Sequence, residues 1–233
     1  MNGLLLIDKP AGMTSHDVVD WVRRRFGIRR VGHGGTLDPA ATGLLILLLG
    51  QATRHARHLL SADKIYLSTL LLGQTTDTQD GEGKVLETRE VGPLTRRQID
   101  EVCARFQGEI EQEVPAYSAV RIQGRRFYDL ARAGKSVPRR VRRVMVHRLK
   151  ILEVRLPEVD LEVTCSSGTY VRTLCADLGA ALGCGGHLSR LCRTQVGPFS
   201  LQQAVKLDQS GPEQVLPLER LSWSFSTASP AVR

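Results

Sequence analysis

Aromatic residues make up only 5% of this 233-residue chain, so aliphatic side chains such as those of Leu4 to Ile7 and Leu70 to Leu72 must supply most of the core. The five cysteines, Cys103, Cys165, Cys175, Cys184 and Cys192, are odd in number and include no Cys-x-x-Cys pair, which excludes a disulfide framework and points to reduced thiols. Cys184-Gly185-Gly186-His187 with Cys192 nearby lacks a fourth ligand and fits no usual zinc spacing, so no metal is expected. Long apolar runs are missing as well. Leu44 to Leu49 has six residues, far short of the ~20 that span a bilayer. The four apolar residues ahead of Asp8 and Lys9 do not make a signal-peptide core, and a soluble cytoplasmic protein is expected. There is no phosphate-cradling loop, no dinucleotide fingerprint and no cluster of His, Asp and Glu, so no cofactor is expected.

Hydrophobic content of 42% and charged content of 24% are ordinary globular values. The net charge of +8 is unevenly spread. Twelve basic side chains stand against two acidic ones between Arg121 and Arg155, so the rest of the chain is slightly acidic. A field of one sign on one segment attracts polyanions, and nucleic acid is the partner class it favours. Arg121, Arg125, Arg139, Arg140, Arg142 and Arg143 are the candidate phosphate contacts; a solubilising face is the alternative.

Leu4 to Ile7 reads as a buried strand, and Ser15 as the N-cap of a helix carrying Val18, Val19, Val22 and Phe26 inward, closed by Gly27. The run Leu44 to Leu49 fits a buried strand, followed by a helix from about Ala52 to Leu60. Lys64 to Gly73 and Lys84 to Val91 read as a hairpin turning through Thr76 to Gly83. Asp77 to Gly81 lacks the alternating acids of a calcium loop and is read as turn chemistry. Thr95 caps a helix to Phe106, ended by Gly108. Gly and Pro between Pro115 and Pro138 place the basic stretch, about 114–143, in an excursion ahead of a strand near Val144 to Val154. Leu161 to Cys165 alternates as a strand, and Thr169 to Leu182 has helical spacing. Elements in this irregular order predict an α+β fold with a mixed, mainly antiparallel sheet flanked by helices. Residues 1–208 form one catalytic domain in this reading, and 209–233 a short tail that packs locally or frays. A monomer is expected.

The stretch Val31 to Gly43 sets one carboxylate, Asp38, among four glycines and a proline. Glycine admits positive φ and close approach, while Pro39 drives Asp38 towards an extended conformation. That much backbone control suggests a placed reactive group, although Asp-Pro also simply opens turns. An aspartate can serve as general base, metal ligand or nucleophile. With no metal-ligand cluster beside it, an ionised carboxylate working without a cofactor remains.

These residues resemble the bacterial TruB-type tRNA pseudouridine synthases from about Leu4 to Val196. The family pattern Gly-His-x-Gly-x-Leu-Asp-Pro-x-Ala-x-Gly stands here as Gly32 to Gly43. Four further blocks agree in order: Asp8 to Ser15; Lys64-Ile65-Tyr66 with Leu72 to Thr78; Pro115 to Ala119; and Ser167 to Thr173. The resemblance implies a pseudouridine synthase core that isomerises uridine 55 in the T-loop of tRNA. The N1–C1′ bond breaks and the base re-attaches through C5, with no redox step or hydrolysis. Asp38 would be the catalytic carboxylate, acting on sugar or base. Tyr66 would stack on the target base, and Arg172 would pair with Asp38 and keep it ionised, with Asp80 completing the charge network. The base must leave its stack and enter a pocket, and His33, Tyr170 and Leu191 would line that pocket or fill the space the base vacates. Taken alone, His33 reads as a structural histidine. Lys9 would support the active-site loop or contact phosphate, and the basic excursion would grip the T-arm.

Longer relatives continue into a PUA domain, and the residues after Asp208 are too few for one. Position 34 is Gly where relatives often carry Thr. Two alternatives stay open: an RNA-folding chaperone that does not need Asp38, and a synthase acting on another structured RNA.

Overall fold

A strand that is apolar on both faces must be covered on both faces, and the run at 44–49 shows how. Leu45, Leu47 and Leu49 enter one buried cluster with Leu5, Ile7, Val18 and Leu174, while Leu44, Ile46 and Leu48 enter a second with Leu4, Leu6, Leu59 and Phe199. The computed structural model describes residues 1–118, 120–122, 125–133 and 136–218, without the side chains of residues 121, 122, 125 and 126. In chain order the elements are β1 (Gly3–Lys9), α1 (Ser15–Phe26), β2 (Val31–His33), β3 (Thr42–Leu49), α2 (Ala56–Ser61), β4 (Lys64–Leu72), β5 (Gln74–Thr76) and β6 (Val85–Thr88). There follow α3 (Arg96–Ala104), β7 (Gly108–Glu113), β8 (Arg121–Ile122), β9 (Arg125–Arg126), α4 (Phe127–Arg132) and β10 (Val141–Arg155). The last are β11 (Glu158–Cys165), α5 (Val171–Ala181), β12 (Gly186–Val196), β13 (Phe199–Ser200), β14 (Val205–Lys206) and β15 (Leu216–Pro217).

The main sheet has eleven strands, with the path β14-β1-β3-β12-β4-β11-β10-β7; β13, β15 and β2 pair beside it. Among the described residues only β1 with β14 and β3 with β12 are parallel strand pairs, so the sheet is mixed and mainly antiparallel, as the element order predicts. Helices α1, α3 and α5 bury amphipathic faces against it: Val18, Val19 and Val22; Ile99, Val102 and Cys103; Val171, Leu174 and Leu178.

Several boundaries differ from the sequence reading for identifiable reasons. Thr14, not Ser15, caps α1, in a capping box with Asp17, which frees Ser15 to bond Leu37. The segment after β3 begins as a 3-10 turn, Gly50–His55, before α2. The predicted hairpin is split: β4 stops at Leu72, Gly73 turns the chain at φ +87°, and β5 pairs with β6 in a sheet of its own. Arg105, not Gly108, ends α3, and Gly108 opens β7. The basic excursion ends earlier than predicted, because Val141 to Arg143 already belong to β10 and pair with β7. The tail packs locally as far as Leu216 and Pro217, which pair with Leu4 and Gly3.

Candidate active site

Parallel pairing of β3 with β12 lasts only two residues, Thr42 with Cys192 and Gly43 with Arg193, and the sheet opens at that seam. The approach is close. A Cβ on Gly43, which has φ +95°, would overlap the Arg193 carbonyl oxygen and stand 2.8 Å from its amide nitrogen, so only glycine fits without rearrangement. Above the seam runs the loop that carries Asp38.

Three side chains fix the backbone of that loop. Arg193 donates from Nε to the Leu44 carbonyl at 2.8 Å, from Nη1 to Thr36 at 3.2 Å and from Nη2 to Gly35 at 3.1 Å. Ser15 Oγ accepts from the Leu37 amide at 2.8 Å and donates to the Leu37 carbonyl at 3.0 Å. Lys9 Nζ donates to the carbonyls of Pro10, Met13 and Pro39 at 2.8, 2.6 and 3.1 Å. Burial lowers the Lys9 pKa to about 8, which still leaves an ammonium at neutral pH to serve those three acceptors. Lys9 is fully buried, so the phosphate contact is corrected: it holds the loop.

Arg172, in the first turn of α5, points at Asp38 from the other side. Its Nη2 lies 3.3 Å from Asp38 Oδ2 and donates to the Tyr117 carbonyl at 2.8 Å; Nη1 lies 3.7 Å from Asp80 Oδ2. Asp80 is itself tied, with Oδ1 accepting from Thr78 Oγ1 and from the Glu82 amide. The start of α5 is anchored by Gln112, which is fully buried and exchanges two hydrogen bonds with the Tyr170 backbone, at 3.0 and 3.2 Å. Burial raises the Asp38 pKa; Arg172 and Lys9 pull it down, and Asp80 pushes it up. The net direction is upward, so the pairing with Arg172 offsets burial only in part.

A cavity of about 320 Å³ lies against these groups, of a size for one nucleoside. Asp38, Arg172, Tyr66, Tyr170 and Leu191 all line it. Asp38 also borders two neighbouring cavities, and its side chain keeps 40% of its surface accessible. Tyr66 is buried, pairs in register with Arg193, and has its pKa raised by burial against the pull of that guanidinium. Lys64 shares the wall, its ammonium held by the carbonyls of Leu59, Leu60 and Ala62 and its pKa lowered by burial to about 8.

The TruB N-terminal pseudouridylate synthase model matches residues 23–171, and the model of the tRNA pseudouridylate synthase B C-terminal domain matches 172–219. The chain belongs to the TruB family. It is 48% identical over 208 residues to tRNA pseudouridine synthase B of Syntrophotalea carbinolica, covering 89% of this chain and 68% of that protein. Against the enzyme of that name from Mycobacterium tuberculosis it is 49% identical over 220 residues, covering 93% and 74%. Among solved structures, a chain of a Cbf5-Nop10-Gar1 complex superposes with a TM-score of 0.70 at 34% identity, covering 88% of this chain. The present chain spans about half, 52%, of that longer one.

Three placements add detail to the TruB pattern. His33 is not among the residues lining the cavity: it lies in β2, half-buried, paired with Leu47 of β3, with its pKa lowered by burial and its Nδ1 buried without a hydrogen-bond partner among the described residues. Gly34 lies against α2, where a Cβ would stand 2.7 Å from Leu59, so the glycine at a position where relatives often carry Thr lets that helix approach. The basic surface is not of one sign. Arg139 pairs with Glu113 at 2.9 Å and Arg143 with Glu111 at 3.4 Å, acids supplied by β7. Arg142 instead turns to the cavity, donating to the Gly168 carbonyl at 3.1 Å and lying 5.1 Å from the Tyr170 ring centre. Arg140 is exposed and makes no ion pair among the described residues. The side chains of Arg121 and Arg125 lie outside the described residues. Sequence reasoning does not single out Arg193 or Gln112, because an arginine or glutamine that serves backbone groups leaves no pattern of partners in a sequence.

Proposed function

We propose that this TruB family chain isomerises uridine to pseudouridine in tRNA, at position 55 of the T-loop, with Asp38 as the catalytic carboxylate. One observation carries the reading: a backbone-clamped aspartate meets a buried arginine on the wall of a cavity sized for a single nucleoside, with a tyrosine ring beside them. The target base leaves its stack and enters that cavity. There Tyr66 offers a face for the pyrimidine and Leu191 and Tyr170 exclude water. Asp38 acts on the nucleoside while the N1–C1′ bond breaks. The uracil turns, C5 bonds to C1′, the C5 proton leaves and N1, freed from the sugar, takes up a proton, so substrate and product have the same composition. Holding the base in place through the turn is the task of the pocket walls, which come from the rigid sheet and α5. Arg172 orients the carboxylate and favours its charged form; Asp80 orients Arg172.

Arg142, which lines the cavity, and Arg140, which is exposed, support T-arm binding through phosphate. No helix among the described residues is long and apolar enough to cross a membrane. The reading is tested by incubating an unmodified tRNA transcript with the protein and locating pseudouridine by chemical mapping. A single modified site at position 55 supports it; unmodified tRNA overturns it, and modification of a different site refutes the positional assignment.

A further inference from the structure

One polar side chain in the cavity wall has no partner. Ser118 is 4% exposed and lines the cavity, yet its Oγ makes no hydrogen bond among the described residues. Buried hydroxyls are satisfied in nearly all native structures, because a bare one forfeits its bonds to water. The adjoining Arg172 Nε–H is buried and unpartnered in the same way. Two orphaned polar atoms on one wall mark a place that a ligand completes.

The position of Ser118 is fixed. Its carbonyl accepts from the Tyr128 amide at 3.1 Å, and the preceding carbonyl, of Tyr117, accepts from Arg172 Nη2. That nitrogen is the one 3.3 Å from Asp38, so Ser118 is one peptide removed from a direct contact of the reactive carboxylate. The cavity therefore has two kinds of wall. Tyr66 and Leu191 come from β4 and β12 of the sheet and offer ring and aliphatic surface to a base. Ser118, Arg172 and Asp38 form the polar side, where the sugar must lie if Asp38 is to reach the glycosidic carbon or its neighbours. A phosphate suits this spot poorly, since Asp38 and Asp80 already balance the Arg172 charge. A neutral hydroxyl, both donor and acceptor, suits it well.

We infer that Ser118 Oγ hydrogen-bonds the 2′-hydroxyl of the nucleotide being rearranged and selects ribose over deoxyribose at that position. This rests on the uridine-isomerase reading above. It also gives a task to the block Pro115 to Ala119, for which the resemblance supplies no role.

The test uses T-arm hairpins already carrying pseudouridine or 2′-deoxypseudouridine at the target, which the protein cannot turn over further. Dissociation constants are measured by fluorescence anisotropy for the wild-type chain and Ser118→Ala, with thermal unfolding of both as a control for folding. The wild type should bind the ribose hairpin about three- to tenfold more tightly than the deoxyribose one. Ser118→Ala should lose that preference by weakening the ribose hairpin alone. Three results overturn the assignment: a preference kept by Ser118→Ala, no preference in the wild type, or equal weakening of both hairpins. Tritium release by the wild type from a hairpin with 5-tritiated uridine is measured alongside, and its absence overturns the isomerase reading itself.

Discussion

At Asp38 the local electrostatics make a prediction with opposite signs at two neighbours. Burial raises its pKa, so activity that needs the carboxylate should fall as pH drops through that raised value. Arg172 pulls the pKa down, and Arg172→Gln should move the acid limb of the kcat profile to higher pH while lowering kcat about a hundredfold or more. Asp80 pushes the pKa up, and Asp80→Asn should move the same limb to lower pH. A pH–rate series on the three proteins checks this, and shifts in the same direction would contradict it. Asp38 can be picked out from sequence because glycine and proline around an acid are unusual and have a physical reading. Arg172 requires the family resemblance, since nothing local ties residue 172 to residue 38. Arg193, Gln112 and the unpartnered Ser118 stand out only once the chain has folded, because the first two serve backbone groups and the third is defined by the cavity wall it joins.

Among the elements, the strand β12 is the longest that sequence patterning does not reveal. Its sequence from Gly186 to Val196 mixes His, Ser, Arg, Thr and Gln with apolar residues, which reads as surface. It lies inside the sheet instead, and its polar members are satisfied there: His187 Nδ1 is 3.1 Å from the Gln74 carbonyl, Thr194 donates to Ile65, and Arg193 clamps the loop that carries Asp38. The aliphatic strands β1 and β3 and the capped helices α1 and α3 are legible, because double-sided burial and capping leave local patterns. The seam between β3 and β12 depends on Gly43, so Gly43→Ala should destabilise the chain by about 2–4 kcal/mol through positive φ and backbone overlap. Urea unfolding measures this, and an unchanged midpoint would show that the seam can widen without cost.

Over the whole molecule the net charge stays at +8, but the basic segment concentrates it less than the sequence suggests, because sheet pairing brings Glu109, Glu111 and Glu113 of β7 beside Arg139 and Arg143. Arg140→Ala with Arg142→Ala should therefore weaken T-arm binding more than Arg139→Ala with Arg143→Ala, and should flatten the slope of log K against log salt by about one for each phosphate no longer neutralised. Titrations at several salt concentrations decide it; equal slopes for both pairs would refute this division of labour. The segment from Leu207 to Leu216 also belongs to the folded unit, since β15 pairs with β1 where a Cβ on Gly3 would overlap the Leu216 carbonyl oxygen. In the proposed reaction the Asp38 carboxylate performs the isomerisation. That role is tested most directly by single-turnover tritium release from a T-arm hairpin with 5-tritiated uridine, comparing wild type with Asp38→Asn at saturating protein. The account predicts release by the wild type and none above background by Asp38→Asn, with both proteins binding the hairpin; release by Asp38→Asn at the wild-type rate would contradict it.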